Sequence, residues 1–174
     1  MFADLKLYDV PRTVGAAVRQ LRQRPVALVT VHGDGAILRA ACREKGNLGI
    51  LAVTALTSLD SADLGDLGYQ TEVEDLVVAR SRQAQEIGCY GVVASGREVR
   101  AVRRSLGWHL AVVVPGIRPR VGAPADDQKR TVDVEEAFEN GADHIVVGRP
   151  IRTAPDPVRA AESIQERIRG LFPE

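Results

Sequence analysis

Three charged residues near the start of the chain could do chemistry. Asp4 and Lys6 lie two residues apart in an apolar segment, and Asp9 follows them closely. Side chains two apart on a strand point to the same face of the sheet, so a carboxylate and an ammonium group project together here. Such a pair can stabilise developing charge or transfer a proton. A surface salt bridge on an edge strand is the alternative, but charges are costly to place inside an apolar strand.

A second group of residues could bind an anion. Residues 115–130 contain three prolines, two glycines and four arginines or lysines, between a predicted strand and a predicted helix cap. A connection longer than about 12 residues in a compact domain is usually functional or disordered. Gly148 and Arg149 follow the last predicted strand, where barrel enzymes often hold phosphate. The pattern predicts a phosphate site; a solvated loop with unrelated charges is the alternative.

The elements that must position these residues alternate along the chain. Short apolar runs rich in β-branched residues are typical of strands buried on both faces of a parallel sheet. They cover residues 1–5, 26–31, 49–54, 90–94, 110–114 and 144–147. Helices are predicted at 14–21, at 73–87 with Gly88 as C-cap, after a capping box at 133–136, and at 157–171. Repeated strand–helix units predict a parallel α/β fold, either a (β/α)8 barrel or an open doubly wound sheet.

The composition is that of a globular protein with balanced charge. The 174 residues are enough for one domain, 1–174, and the 23 basic residues equal the 23 acidic ones. A zero balance argues against nucleic-acid and membrane-surface partners, and no apolar stretch reaches the roughly 20 residues of a membrane span. Two cysteines, Cys42 and Cys89, and the absence of a signal-peptide pattern predict a cytoplasmic protein. The three scattered histidines predict no metal site.

Several other side chains are predicted to be structural. Trp108 and Phe138 are expected in the core or in an interface. His32 ends the second predicted strand and is expected to support the site rather than to react. Arg103 and Arg104 are expected on a solvated helix face.

Four segments resemble one enzyme family. Residues 2–14, FADLKLYDVPRTV, resemble the D-x-K-x-x-D strand followed by V-P-x-T that marks orotidine 5′-monophosphate decarboxylases. The later segments follow in the family's order: V-T-A-L-T-S at 53–58 resembles its fifth strand, P-G-I-R-P at 115–119 with Asp127-Gln128 its phosphate-gripping loop, and G-R-P at 148–150 its last strand. The first motif is shared with related sugar-phosphate decarboxylases and synthases. The four together favour the nucleotide enzyme.

The resemblance implies a TIM-type (β/α)8-barrel enzyme that converts orotidine 5′-monophosphate to uridine 5′-monophosphate in de novo pyrimidine synthesis, without cofactor or metal. Lys6 would stabilise the charge that develops at C6 of the orotate ring and would protonate it. Asp4 would lie beside the departing carboxylate. Asp9 and Thr13 would reach the site of a neighbouring subunit in a homodimer.

The resemblance also implies the residues that bind the nucleotide substrate. Thr57 would contact the pyrimidine. A gripping loop at 115–131 and the end of the last strand would hold the phosphate, through Gln128, Gly148, Arg149 and, in an assisting role, Arg118. Closure of that loop would use phosphate binding energy to assemble a water-poor site.

Six predicted strands are two fewer than such a barrel needs. The family's first-strand Asp and second-strand Lys have no counterpart in this sequence, so we expect the family barrel without its first two βα units. Either the coding sequence begins upstream of Met1, or a second copy of the chain fills the gap. Two alternative functions remain, a magnesium-dependent sugar-phosphate decarboxylase of the same superfamily and a non-catalytic nucleotide-binding remnant.

Overall fold

A computed structural model of the chain describes residues 1–118 and 130–172. The strands are β1 (Phe2–Leu7), β2 (Leu28–His32), β3 (Gly49–Val53), β4 (Gly91–Val93), β5 (Ala111–Val114) and β6 (His144–Ile145). The helices are α1 (Pro11–Leu21), α2 (Gly35–Glu44), α3 (Ser61–Asp66), α4 (Val73–Ile87), α5 (Val99–Leu106), α6 (Val134–Glu139), α7 (Arg149–Arg152) and α8 (Pro157–Leu171). Among the described residues, no helix is long and apolar enough to span a membrane.

The six strands form one parallel sheet in which each strand pairs with the next one along the chain. The predicted parallel α/β class is therefore confirmed. A doubly wound sheet reverses its strand order at a switch point, and the sequential order β1 to β6 has no such reversal. The order is the one found along a barrel wall, and it places the carboxyl ends of all six strands at the same edge.

Both faces of the sheet are covered by apolar side chains, in two separate clusters. Along β3, Ile50 and Ala52 pack with the helices, while Leu51 and Val53 belong to an inner cluster. That inner cluster also includes Val93 and Val113, with Phe2, Leu28 and Val146 packed against it. Because side chains alternate between faces, Asp4 and Thr30 share the inner face with Phe2 and Leu28.

The predicted strands and helices agree closely with the structure. The bounds of α4 and α8 match the prediction, and Gly88 ends α4 with a left-handed φ of 86°. Helix α1 starts three residues earlier than predicted, at Pro11, because proline is suited to the first helical turn. Helices α2, α3 and α7 were not predicted from the sequence. Asp34 was the available signal for α2, since its side chain accepts hydrogen bonds from the amides of Ala36 and Ile37.

One expectation for a side chain is wrong. Arg103 does not lie on a solvated face, because only 7% of its side chain is exposed and it pairs with Asp143 at 2.5 Å. Its guanidinium also donates to the carbonyls of Gly141 and Leu110, both at 2.8 Å, which ties the end of α5 to neighbouring loops. Trp108, expected in the core or in an interface, is 70% exposed in this chain and therefore lies outside the core, while an interface position stays a prediction; its ring lies 4.3 Å from that guanidinium.

Candidate active site

Strand β1 is irregular at the residue expected to react. Its pairing with β2 shifts between Ala3 and Leu7, where four residue steps on β1 face two on β2. Within this bulge Lys6 has a φ of 48°, the only positive φ of a residue other than glycine in the described part of the chain. Such a conformation is strained for a side chain with a Cβ and is often found at functional sites. The bulge re-aims Lys6 relative to a regular strand.

Lys6, Asp4 and Thr30 form a closed set of contacts. The Lys6 ammonium lies 2.6 Å from Asp4 Oδ2, and the two side chains are 43% and 41% exposed. The Thr30 hydroxyl, on the neighbouring strand, donates to Asp4 Oδ1 at 2.8 Å. The same hydroxyl accepts the Lys6 backbone amide at 2.8 Å. A fully buried threonine on the neighbouring strand thus hydrogen-bonds to both members of the charged pair.

The Asp4 and Lys6 side chains open into a cavity of about 260 Å³ at the carboxyl end of the sheet. The volume is close to the lower end of ordinary small-molecule sites, about 300–1,000 Å³. Its floor is apolar and consists of Phe2, Val53, Val93, Val113 and Val146. Its polar lining includes six residues singled out in the sequence, namely Asp4, Lys6, Thr57, Arg118, Gly148 and Arg149. The fold therefore brings together in one cavity residues that are up to 145 positions apart in the chain.

A buried ion pair between Arg130 and Glu98 supports the loop that carries Thr57 into the cavity. Arg130 donates from Nη2 to the Leu56 carbonyl at 2.8 Å and from its amide to the Thr57 carbonyl at 3.3 Å. Its guanidinium lies 2.7 Å from the Glu98 carboxylate, and both side chains are more than nine-tenths buried. Sequence reasoning counted Arg130 only as one of the loop's basic residues and missed its partner.

Two predicted site residues lie away from the cavity. Asp9 is exposed and accepts the Val10 amide at 2.6 Å, and Thr13 is exposed in the first turn of α1. Both are outside the described lining of the cavity. Gln128, like most of the predicted loop at 115–131, lies outside the described residues.

His32 packs beside the site without entering the described lining of the cavity. Its ring centroid lies 4.3 Å from that of Tyr8. Burial, and then the positive charge of Arg80, lower the pKa of His32 below its ordinary value. The ring is therefore neutral at pH 7, which suits packing and not charge stabilisation. Across residues 1–118 and 130–172, no cluster of three or more His, Cys, Asp or Glu side chains could hold a metal ion.

The sequence matches a known family over nearly its whole length. Residues 1–164 match the profile of the orotidine 5′-phosphate decarboxylase / HUMPS family. The chain belongs to this family. A relative named orotidine 5′-phosphate decarboxylase, from Methylococcus capsulatus, is 58% identical over 172 residues, which are 99% of this chain and 71% of the relative. Another of that name, from Xanthomonas euvesicatoria, is 48% identical over 176 residues, 100% of this chain and 72% of the relative.

Solved structures of the orotidine 5′-phosphate decarboxylase family show the same fold. The enzyme from Lactobacillus acidophilus superimposes with a TM-score of 0.80 at 30% identity, over 95% of this chain and 73% of that one. The enzyme from Pyrococcus horikoshii superimposes with a TM-score of 0.71 at 29% identity, over 97% and 73%. The chain thus spans about seven-tenths of the length of the family members it matches.

Thr30 is the site residue that sequence analysis missed. It had a detectable signal, because it is a polar residue in the middle of an apolar strand. Its spacing from Leu28 also places it on the inner face of the sheet. What the sequence did not indicate was that β2 would lie directly beside Asp4 and Lys6.

Proposed function

We propose that the chain decarboxylates orotidine 5′-monophosphate to uridine 5′-monophosphate, without a cofactor, in pyrimidine synthesis. The observation that carries the proposal is the Lys6–Asp4 pair, 2.6 Å apart, in the same cavity as the cationic side chains of Arg118 and Arg149. The names of the relatives, at up to 58% identity, support the same reaction.

The chemistry follows from the charges at the carboxyl end of β1. When the C6–carboxylate bond of orotate breaks, CO₂ leaves and the bonding electrons stay on C6. The Lys6 ammonium stabilises this developing negative charge and then gives C6 a proton, which yields the uracil ring. Lys6 regains its proton from solvent. Asp4 orients the ammonium and faces the substrate carboxylate, whose negative charge is lost as the reaction proceeds.

The rest of the cavity binds the nucleotide away from the reacting carbon. Thr57 contacts the pyrimidine from the loop that follows β3. Arg118 and Arg149 neutralise the phosphate, with the backbone at Gly148 beside it. Among the described residues, a Cβ at Gly148 would meet no atom within 4 Å, which supports close approach of a ligand to this backbone. The loop at 115–131, with Gln128, would close over the phosphate and exclude water.

The assembly is part of the same proposal. The six sequential parallel strands correspond to six units of a TIM-type (β/α)8 barrel. Asp9 and Thr13 are exposed next to β1, as is required of residues that complete a partner's site across a homodimer. The free thiols of Cys42 and Cys89, with sulfurs 3.7 Å apart, are in keeping with a reducing cytoplasm.

The decisive experiment follows the loss of orotidine 5′-monophosphate by absorbance, with the chain and with Lys6→Ala. We expect turnover by the wild type and a loss of about a hundredfold or more in the variant. Lys45→Ala is the matched control, because the Lys45 ammonium binds the Gly88 carbonyl and is not part of the described cavity lining.

Two other results would contradict the proposal. Binding of uridine 5′-monophosphate without turnover would indicate a nucleotide-binding remnant. Activity that is lost in a chelator and restored by Mg²⁺ would indicate the metal-dependent sugar-phosphate chemistry instead.

A further inference from the structure

We propose that Thr30 is a positioning residue, which sets the geometry of the catalytic Lys6–Asp4 pair. The inference rests on the proposed function and adds to it a residue on a second strand. Thr30 is fully buried and is not part of the described lining of the cavity, so it acts through its neighbours and not by contact with substrate.

The direction of each hydrogen bond is determined by the partners. The Lys6 amide can only donate, and the ionised Asp4 carboxylate can only accept. The Thr30 hydroxyl therefore accepts from Lys6 at 2.8 Å and donates to Asp4 Oδ1 at 2.8 Å. One hydroxyl thus holds the backbone of one member of the pair and the side chain of the other.

The bond to the Lys6 amide replaces one that the bulge takes away. Between Ala3 and Leu7 the regular ladder to β2 is interrupted, and a partly buried amide that lacks a partner costs free energy. The threonine hydroxyl supplies that partner while Lys6 keeps its strained φ of 48°. Without the hydroxyl, the Lys6 amide loses the hydrogen bond that stabilises this backbone conformation, and Lys6 can relax toward a regular strand.

The bond to Asp4 fixes which oxygen meets the ammonium. With Oδ1 engaged by Thr30, the other oxygen, Oδ2, lies 2.6 Å from Lys6 Nζ. Thr30 is itself rigid, because its β-branched side chain has few rotamers and its strand is paired on both sides, to β1 and to β3. The Asp4 carboxylate, although 41% exposed, is thus held in place by the buried Thr30 hydroxyl.

The test compares Thr30→Val, which keeps the shape and removes the hydroxyl, with Thr30→Ser, which keeps the hydroxyl. In the valine variant we expect kcat to fall by about 10- to 100-fold, because small displacements of catalytic groups have effects of this size. KM and the affinity for uridine 5′-monophosphate should stay close to wild type, and serine should restore most of kcat. A purely structural role would not produce this split between kcat and KM.

A crystal structure of Thr30→Val gives a readout that does not depend on activity. We expect Lys6 to leave its positive φ and the Lys6–Asp4 contact to lengthen.

Absence of turnover in the wild type would refute the proposed function, while the crystal structure of Thr30→Val would still decide the role of Thr30. If the valine variant does not fold, Thr30→Cys serves instead, since a thiol is nearly the same size and a weaker donor. The inference would be overturned if the valine variant, or the cysteine variant used in its place, kept the wild-type kcat or the wild-type conformation of Lys6.

Discussion

Arg130 Nη1 lies 2.7 Å from Glu98 Oε1, and these two side chains are 7% and 6% exposed. The pair sits where two loops of the cavity meet. On one side Arg130 holds the carbonyls of Leu56 and Thr57, and on the other the Ser95 hydroxyl donates to the Arg130 carbonyl at 3.2 Å. The C-terminal end of the predicted phosphate loop is therefore fastened to the loop that carries Thr57.

Glu98→Gln should destabilise the protein strongly. The variant leaves the Arg130 guanidinium buried without a counter-charge, which typically costs about 3–5 kcal/mol. Urea unfolding measures the loss, and the KM for the nucleotide should rise because the Thr57 loop loses its support. The control is Glu44→Gln, which removes the partner of Arg19 at 2.7 Å in an ion pair at the protein surface and should change stability little. Equal effects of the two substitutions would show that burial of the Glu98 pair is unimportant.

Arg149→Ala should weaken binding of the nucleotide but not of the nucleoside. Loss of a hydrogen bond to a charged group costs about 1.5–3 kcal/mol, or roughly 10- to 100-fold in affinity for uridine 5′-monophosphate. Uridine, which lacks the phosphate, should bind both proteins equally by calorimetry. Arg152→Ala, on the same helix but outside the described lining of the cavity, is the control. A similar loss for uridine would argue against a phosphate contact by Arg149.

Cys42 should be the reactive thiol of the chain. Its hydrogen bond with Cys89, at 3.7 Å between sulfurs, and the nearby charge of Lys45 lower the pKa of Cys42 to about 7. The same hydrogen bond and burial raise the pKa of Cys89. Alkylation by iodoacetamide, followed by mass spectrometry, should therefore modify Cys42 first, with a rate that rises through about pH 7.

Cys89→Ala gives the control for this assignment. Without the neighbouring sulfur, the midpoint for Cys42 should move up toward the ordinary value of about 8.5. Preferential labelling of Cys89 in the wild type, or an unchanged midpoint in the variant, would contradict the prediction.

Protonation of His32 should destabilise the fold. Its folded pKa is lowered by burial and by Arg80, so the unfolded chain binds this proton more readily. The free energy of unfolding should therefore fall as the pH drops below about 6.5, the ordinary histidine pKa, and level off only below the folded pKa. His32→Gln should flatten this part of the stability profile, measured by urea unfolding between about pH 7 and 5. His109→Gln changes an exposed ring and should leave the slope in place.

Much of the fold could be predicted from the sequence because its signals are local. Short apolar runs rich in β-branched residues mark the buried strands, and Gly88 at a left-handed position marks the end of α4. The short helices α3 and α7 escaped prediction because four to six residues hold too little of a helical repeat. The buried position of Arg103 was not predicted, because an arginine in a helix has the same local sequence pattern whether its side chain is solvated or binds carbonyls that are distant in the chain.

The sequence by itself determined which residue types are available for chemistry, and it predicted that Asp4 and Lys6 project together from β1. Only the tertiary structure decided what holds them there. Thr30 is 24 positions from Lys6, and Arg130 is 74 positions from Leu56. Contacts of this kind depend on which strands are neighbours and in what register, and that is set by packing of the whole sheet and not by local periodicity. The reactive pair is thus visible in the sequence, whereas the buried hydroxyl and the buried ion pair that position the cavity are visible only in the fold.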